Sequence, residues 1–239
     1  FSFSAPPEAE PVPAPEMSMA VAPLPANVRR INSRTFKIGY EVQDVGPSGV
    51  GSVELYISED GGRKWFHYGS DLDRTSPFEV AVPRDGSYGF AIRVRSGMGV
   101  VADPPQPLEP PEVAVLVDTT PPTARLMPLR QEAQGGSYQI RIAWFAQDQS
   151  LAERPISLSE SASPEGPWTP ITGWIANEGR YLWTVTSLAP RRVYVRLEVR
   201  DAAGNTATAI TDQPLLIDTS RPTARILDVE SVNPPSSGP

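Results

Sequence analysis

One phrase occurs twice in this chain. Val117-Asp118-Thr119-Thr120-Pro121-Pro122-Thr123-Ala124-Arg125-Leu126 returns as Ile217-Asp218-Thr219-Ser220-Arg221-Pro222-Thr223-Ala224-Arg225-Ile226, one hundred residues later. That interval is the size of one small domain, and self-similarity at a fixed period marks duplicated architecture. Each copy reads as the last strand of one module, a proline-stiffened joint and the first strand of the next. Pro121 and Pro122 remove two backbone donors and fix φ twice, so the joint is expected to restrict the angle between modules. The implied division is a Pro-rich tail over 1–27, modules over 28–121 and 122–222, and the start of a further repeat or a linker over 223–239.

Alternation with period 2 fills both modules. In the first, Phe36, Ile38, Tyr40 and Val42 share one face, with Lys37, Gly39 and Glu41 on the other. Val53, Leu55 and Ile57 alternate with Glu54 and Tyr56, and Phe78, Val80 and Val82 repeat the pattern. Tyr88, Phe90, Ile92 and Val94 alternate with Arg93 and Arg95, and a last strand runs from Val113 to Val117. Turn clusters such as Asp60-Gly61-Gly62 and Pro83-Arg84-Asp85-Gly86 separate these runs. The second module repeats the plan. Tyr138, Ile140, Ile142 and Trp144 share a face, Ile156 and Leu158 begin a strand, and Leu182 to Leu188 form another. Val193, Val195, Leu197 and Val199 alternate with Tyr194, Arg196, Glu198 and Arg200, and Pro214 to Ile217 close the module. No long segment has helical period. One apolar and one charged face per strand is what a two-sheet sandwich requires.

Composition narrows the function classes. A net charge of −7 argues against nucleic acid, which wants a basic stripe, and against an anionic membrane surface. No run of about 18 apolar residues is present, so no membrane insertion is expected. The absence of cysteine excludes disulfides, thiolate metal sites and a cysteine nucleophile. Residues 1–27 carry seven prolines among Ala, Glu, Val and Met. Such a stretch favours extended conformations and lacks the apolar mass to pack alone. It reads as a spacer or stalk, with a Pro-rich recognition ligand as the second reading.

Asp201-Ala202-Ala203-Gly204-Asn205, followed by Ile217-Asp218-Thr219-Ser220-Arg221-Pro222, resembles the Asp-x-Ala-Gly-Asn … Asp-Thr-x-Pro-Pro signature of bacterial immunoglobulin-like repeats, which are related in shape to fibronectin type III domains. Asp85-Gly86-Ser87-Tyr88-Gly89-Phe90 resembles their penultimate strand, entered through a tight turn with an inward tyrosine. The resemblance covers about residues 28–226. It implies an all-β chain of two tandem immunoglobulin-like (fibronectin type III-like) β-sandwich domains behind a Pro-rich N-terminal tail, in a secreted, periplasmic or cell-surface bacterial protein. The second module departs from the pattern. Leu188-x-Pro190-x-x-x-Tyr194 imitates the fibronectin motif, but strand register puts Val193 where Tyr88 stands.

Several residues are weighed as sites. Ser58-x-Asp60-x-Gly62-x-x-Trp65 resembles the Asp-box of sialidase propellers, in which Ser and Asp brace a glycine turn over a tryptophan. A propeller needs several evenly spaced copies, and here one is intact, so an ordinary hairpin with a buried Trp is expected. Asp118, Asp201, Asn205 and Asp218 are the candidates for holding Ca²⁺ through oxygen ligands, against the alternative that they brace turns. His67 is the only histidine and reads as a surface residue, since general-base work needs partners that its neighbourhood in sequence does not supply. Among Trp65, Tyr68, Trp168, Trp174 and Trp183, core packing is favoured, with Trp174 the candidate for stacking on a glycan. Arg29-Arg30 and Arg191-Arg192 read as solvated pairs. No catalytic constellation, cofactor loop or Gly-x-Ser-x-Gly elbow is present. The expectation is a monomeric, non-catalytic spacer or adhesion-type segment of an envelope or secreted multidomain protein, making contacts with protein partners or neighbouring domains. The alternative is a carbohydrate-binding accessory module of an extracellular hydrolase.

Overall fold

The computed structural model describes residues 28–43, 46–100, 102–134, 137–185, 191–217, 225 and 227–228. The Pro-rich tail over 1–27 lies outside these residues, as do Asp218 and nearly all of 223–239. The chain divides between Thr119 and Thr120 into two compact units. Both are all-β, and no helix among the described residues is long and apolar enough to cross a membrane.

The first unit contains β1 (Val28–Ile31), β2 (Thr35–Ile38), β3 (Val50–Ser58), β4 (Phe66–Asp71), β5 (Phe78–Ala81), β6 (Gly86–Ser96) and β7 (Val113–Val117). One sheet runs β1-β7-β6-β3-β4 and the other pairs β2 with β5. Leu55, Val80, Tyr88, Phe90, Val115 and Val117 meet between them. Phe36 places its ring edge-on to Phe90, centroids 5.8 Å apart. Tyr68 joins the sheets in another way: its hydroxyl accepts from the Ala81 N–H at 2.8 Å and donates to the Ala81 carbonyl at 3.3 Å.

Two departures from the alternation have local causes. The Phe36 run stops at Ile38 rather than Val42, and beyond it the Tyr40 N–H donates to Ser76 Oγ instead of to a strand. And Arg29-Arg30, exposed as expected, forms the centre of β1, paired parallel to β7 with Val28 opposite Ala114. A four-residue strand with two exposed arginines carries too short an alternation to be read from sequence.

The second unit contains β8 (Thr123–Leu126), β9 (Arg130–Gln134), β10 (Ser137–Gln147), β11 (Leu151–Ser161), β12 (Thr169–Pro170), β13 (Arg180–Thr184), β14 (Arg192–Asp201), β15 (Thr206–Ile210) and β16 (Leu215–Leu216). One sheet runs β13-β10-β8 with β9 also on β10, and the other runs β12-β11-β14-β15 with β16 on β14. β14 is the clearest element of the fold. Val193, Val195, Leu197 and Val199 are fully buried and the residues between them are not. Each such side chain contributes roughly 1.5–3 kcal/mol by leaving water. Opposite them stand Ile140, Ile142 and Trp144 of β10, whose indole N–H donates to Asn177 at 2.8 Å. β11 starts at Leu151, earlier than Ile156, and its register against β14 shifts between those two residues. Pro155 lies in that interval, and a residue without an N–H belongs at a bulge. β13 covers Arg180–Thr184; the rest of the Leu182–Leu188 run lies outside the described residues.

The tyrosine contrast between units is resolved by register. Tyr88 is buried and its hydroxyl donates to the Arg84 carbonyl at 2.8 Å, clamping the turn that enters β6. At the matching place in β14 Val193 points inward, and Tyr194 lies half-buried on the other face. Tyr88→Phe is expected to cost about 1 kcal/mol, the net value of one hydrogen bond, seen as a lower urea midpoint at unchanged m-value.

Candidate functional site

The outward faces of the two units hold the polar chemistry. On β3, Ser52, Glu54 and Tyr56 face away from the core. Glu54 is nonetheless buried, because four side chains close over it. Ser52 Oγ donates to Oε1 at 2.8 Å, Ser70 Oγ to Oε2 at 2.5 Å, and Arg95 Nε reaches Oε1 at 3.4 Å. His67 Nε2 lies 2.6 Å from Oε2, and its ring meets Tyr56 edge-on at 5.4 Å. Burial by itself would raise the Glu54 pKa; hydrogen bonds from Ser70, His67, Ser52 and Arg95 outweigh it and lower it to about 2.

His67 is exposed, as expected from sequence, but it is not without partners. Pairing places it opposite Tyr56, beside Glu54 and Ser70, although Glu54 is 13 residues away along the chain. The arrangement has serine, histidine and carboxylate but not the geometry of nucleophilic catalysis. A triad histidine takes the acid on one ring nitrogen and the serine on the other. Here Glu54 and Ser70 both approach Nε2, Ser70 at 3.3 Å, and the Ser70 hydroxyl is spent on Glu54. The cluster is a neutralised carboxylate within a sheet face.

The Asp-box folds as a turn brace at the tip of the β3–β4 hairpin. Ser58 Oγ donates to Asp60 at 2.9 Å and accepts from the Gly62 N–H at 2.8 Å, and Asp60 accepts from the Lys64 N–H at 2.9 Å. Gly62 has φ +93°, and a Cβ there would stand 2.1 Å from the Glu109 carbonyl oxygen. Trp65 is half-buried rather than buried. Its indole N–H donates to that same Glu109 carbonyl at 3.3 Å, tying the hairpin to the loop before β7. Arg93 secures the loop again, pairing with Glu109 and with Glu112 at 3.0 Å.

The Ca²⁺ candidates are distributed differently from one another. Asp201 is buried at the end of β14. Its Oδ1 accepts from the N–H groups of Ala203, Gly204 and Asn205 at 2.7–2.9 Å, and its Oδ2 accepts from the Asn205 amide at 2.7 Å. This is the turn-bracing geometry: one carboxylate satisfies a whole loop. Asp148, which sequence reasoning did not select, lies near it, their carboxylate oxygens within 4.8 Å. Its Oδ1 accepts from the Ser150 N–H at 2.7 Å. Asp118 is half-buried, follows β7 and belongs to the first unit, its N–H donating to the Ile31 carbonyl at 3.0 Å. Asp218 lies outside the described residues.

The aromatic candidates divide between core and surface. Trp183 packs against the second unit's core. Trp168 and Trp174 instead meet the outer side of β14: Arg196 lies 4.9 Å from the Trp168 ring centroid and Arg200 lies 4.1 Å from that of Trp174. Trp174 is half-buried beside the bridge between Ile175 and Ile156. Arg196 is further held by Ser159 at 3.1 Å and by Glu198 at 3.3 Å. A guanidinium over an indole is attractive through the ring quadrupole, and it occupies one stacking surface of each ring.

No family model matches the chain, and no curated protein matches it. Among solved structures, fibronectin(III)-like modules of Clostridium thermocellum CbhA are similar over 86% of this chain and 97% of theirs, at 13% identity and a TM-score of 0.50. The fold is fibronectin type III-like. The FN1–FN3 domains of chicken CNTN1 align over 77% of this chain and 65% of theirs, at 12% identity and a TM-score of 0.41.

Two outcomes follow from this geometry. Because the folded pKa of Glu54 is about 2 against an ordinary 4.5, the fold favours its ionised form. The stabilisation is complete above about pH 4.5, declines as pH falls towards 2 and is gone below it. The stability difference between the wild type and Glu54→Gln should shrink over that window in urea titrations. Gly62→Ala should cost about 1–3 kcal/mol or more through strain and contact with the Glu109 carbonyl, measured as a lower melting temperature.

Proposed function

We propose that the chain is a non-catalytic spacer or adhesion-type segment of a larger secreted or surface-exposed bacterial protein, two fibronectin III-like modules held in series by a short proline joint. Modules of this fold are commonly structural or binding units. The observation that carries the reading is how the joint leaves the first unit. Asp85 accepts from the Thr119 N–H at 2.9 Å and from the Thr119 hydroxyl at 2.9 Å, and pairs with Arg34 at 2.9 Å. The Thr119 N–H, followed by Arg34, holds the Asp85 carboxyl below its ordinary pKa. The chain is thus pinned up to Thr119, and β8 begins at Thr123. Between them lie Thr120 and two prolines, a length with few free dihedrals. A segment meant to transmit position needs such a joint; a flexible linker would be Gly- and Ser-rich.

The polar groups support the same reading. Glu54, Asp201 and Ser58 are each spent on their own chain. Among the described residues no buried side-chain nitrogen or oxygen lacks a partner. Binding of carbohydrate is the second reading, favoured by the two tryptophans on one sheet face.

Asp85→Ala is expected to lower the ¹⁵N order parameters of the Thr119 and Thr120 amides while leaving β6 and β7 unchanged; unaltered values at Thr119 would remove the support for a pinned joint. On a glycan array the intact chain should show no more retention than its Trp174→Ala variant. Retention that Trp174→Ala abolishes would establish the carbohydrate reading instead.

A further inference from the structure

The last strand of each unit holds the same place in the repeat, and the two differ in what covers them. The hundred-residue interval sets Val115, Leu116 and Val117 against Leu215, Leu216 and Ile217. In the first unit β7 has β6 on one side and β1, running parallel, on the other. In the second, β8 lies on β10, and among the described residues β16 pairs with β14 alone. Burial follows the pairing. Val115 and Val117 are 5% and 1% exposed, and Leu116 is half-buried. Leu215 and Ile217 are only half-buried, and Leu216 is 66% exposed.

Hydrogen-bond direction shows which backbone groups are left over. The Asp118 N–H donates to the Ile31 carbonyl, so Leu116, two residues earlier, also turns its N–H and C=O towards β1. The Ile217 N–H donates to the Arg191 carbonyl, so Leu216 turns its own pair away from β14, to the open edge. Pro214 has no N–H, which leaves Leu216 as the donor of that edge. Beside it runs a groove of about 590 Å³, wholly within the second unit, between residues 124–129 and 209–215. Leu126, Leu129, Ala209 and Leu215 line the groove and also pack against the core. Met127 and Ile210 line it too and remain exposed. An open edge flanked by apolar side chains, with no lysine and no covering strand, is a template for pairing with another chain.

We propose that the groove beside β16 accepts an extended strand from a partner protein, laid parallel to β16 as β1 lies on β7, with its apolar side chains on Leu126, Leu129 and Leu215. β1 shows the chemistry of such a strand: Val28 and Ile31 are half-buried at its ends, and Arg29 and Arg30 between them are exposed. A basic strand also suits a chain of net charge −7 whose groove contains Asp212. β1 itself is committed to β7, so the donor is a different protein rather than a second copy. Main-chain bonds supply the affinity of such an addition, and pockets for alternate side chains its selectivity. The site is independent of the joint that carries the spacer reading.

The test titrates the full chain with the end-blocked peptide Val-Arg-Arg-Ile-Asn-Ser, the sequence of residues 28–33, and follows the amide resonances. Expected are saturable shifts at Leu129, Leu215 and Leu216, and slower hydrogen exchange at the Leu216 N–H. Leu216→Pro removes only the outward donor, at a place where an edge strand tolerates proline. It should leave the urea midpoint unchanged and weaken the peptide at least tenfold, whereas Leu216→Thr should retain binding. N-methylation of the peptide isoleucine, whose N–H faces the Leu216 carbonyl in this register, should weaken binding as much, and it decides the matter if Leu216→Pro unfolds. Absence of binding overturns the proposal, as does binding indifferent to N-methylation. Shifts confined to β7 mean that the peptide displaces β1, and self-association that Leu216→Pro abolishes, without peptide binding, assigns the edge to a second copy; each overturns it as well.

Discussion

Burying one face of a strand dictates everything about where the other face can put its chemistry. In β14 the four inward positions are completely dry. A slip of one residue would bring Tyr194, Arg196, Glu198 and Arg200 into that space, at several kcal/mol for each desolvated charge. Register is thereby fixed, and with it the order in which Arg196, Glu198 and Arg200 meet the opposing strands and the two tryptophans. The same holds for β3, where Leu55 in the core obliges Glu54 to face outward. The sheet faces that carry function-bearing residues are set by the cores they do not touch.

What happens on those outer faces differs between the units, and the difference is electrostatic. In the first, a carboxylate is buried by being saturated with donors. Glu54 takes four side-chain hydrogen bonds, so its charge costs little and is unavailable to a ligand. In the second, Arg196 and Arg200 find tryptophan rings, while the arginines of β8, β9 and β13 find mostly solvent. Charge satisfied within its own face stabilises; the guanidinium groups of Arg125, Arg130 and Arg180 around Phe145 make no ion pair among the described residues.

The alternation made most strands readable, because Val193 to Val199 or Tyr88 to Val94 leave few alternatives for which side is dry. Short elements were not readable. β1 has four residues and two arginines, and its existence depends on the exposed edge of β7, a partner some 85 positions further along the chain. The site residues followed the same division. Ser58, Asp60 and Gly62 act within one hairpin, and so does Asp201 with Ala203 to Asn205; local spacing announced both. His67 with Glu54, and Trp174 with Arg200, are joined by strand pairing and loop return, which spacing along the sequence does not encode. Sequence could suggest that His67 follows a hairpin of known length, but the pairing of Tyr56 with His67 comes with a register irregularity at Leu55, and no composition signal marks it.

The two units also show how one plan tolerates different edges. In the first, β1 lies parallel on β7 and the second sheet is reduced to β2 and β5. In the second, the strand after the joint turns instead onto β10, and β9 and β13 extend the same sheet. The first strand joining β10, together with the additional β9, widens this sheet from two strands to four, and the wider face gathers Arg125, Arg141 and Arg180 around Phe145. The repeated sequence after the joint, Thr123-Ala124-Arg125-Leu126, supplies the central residue of that gathering. The difference in edge pairing therefore gives the second unit a broad basic face that the described residues of the first do not form.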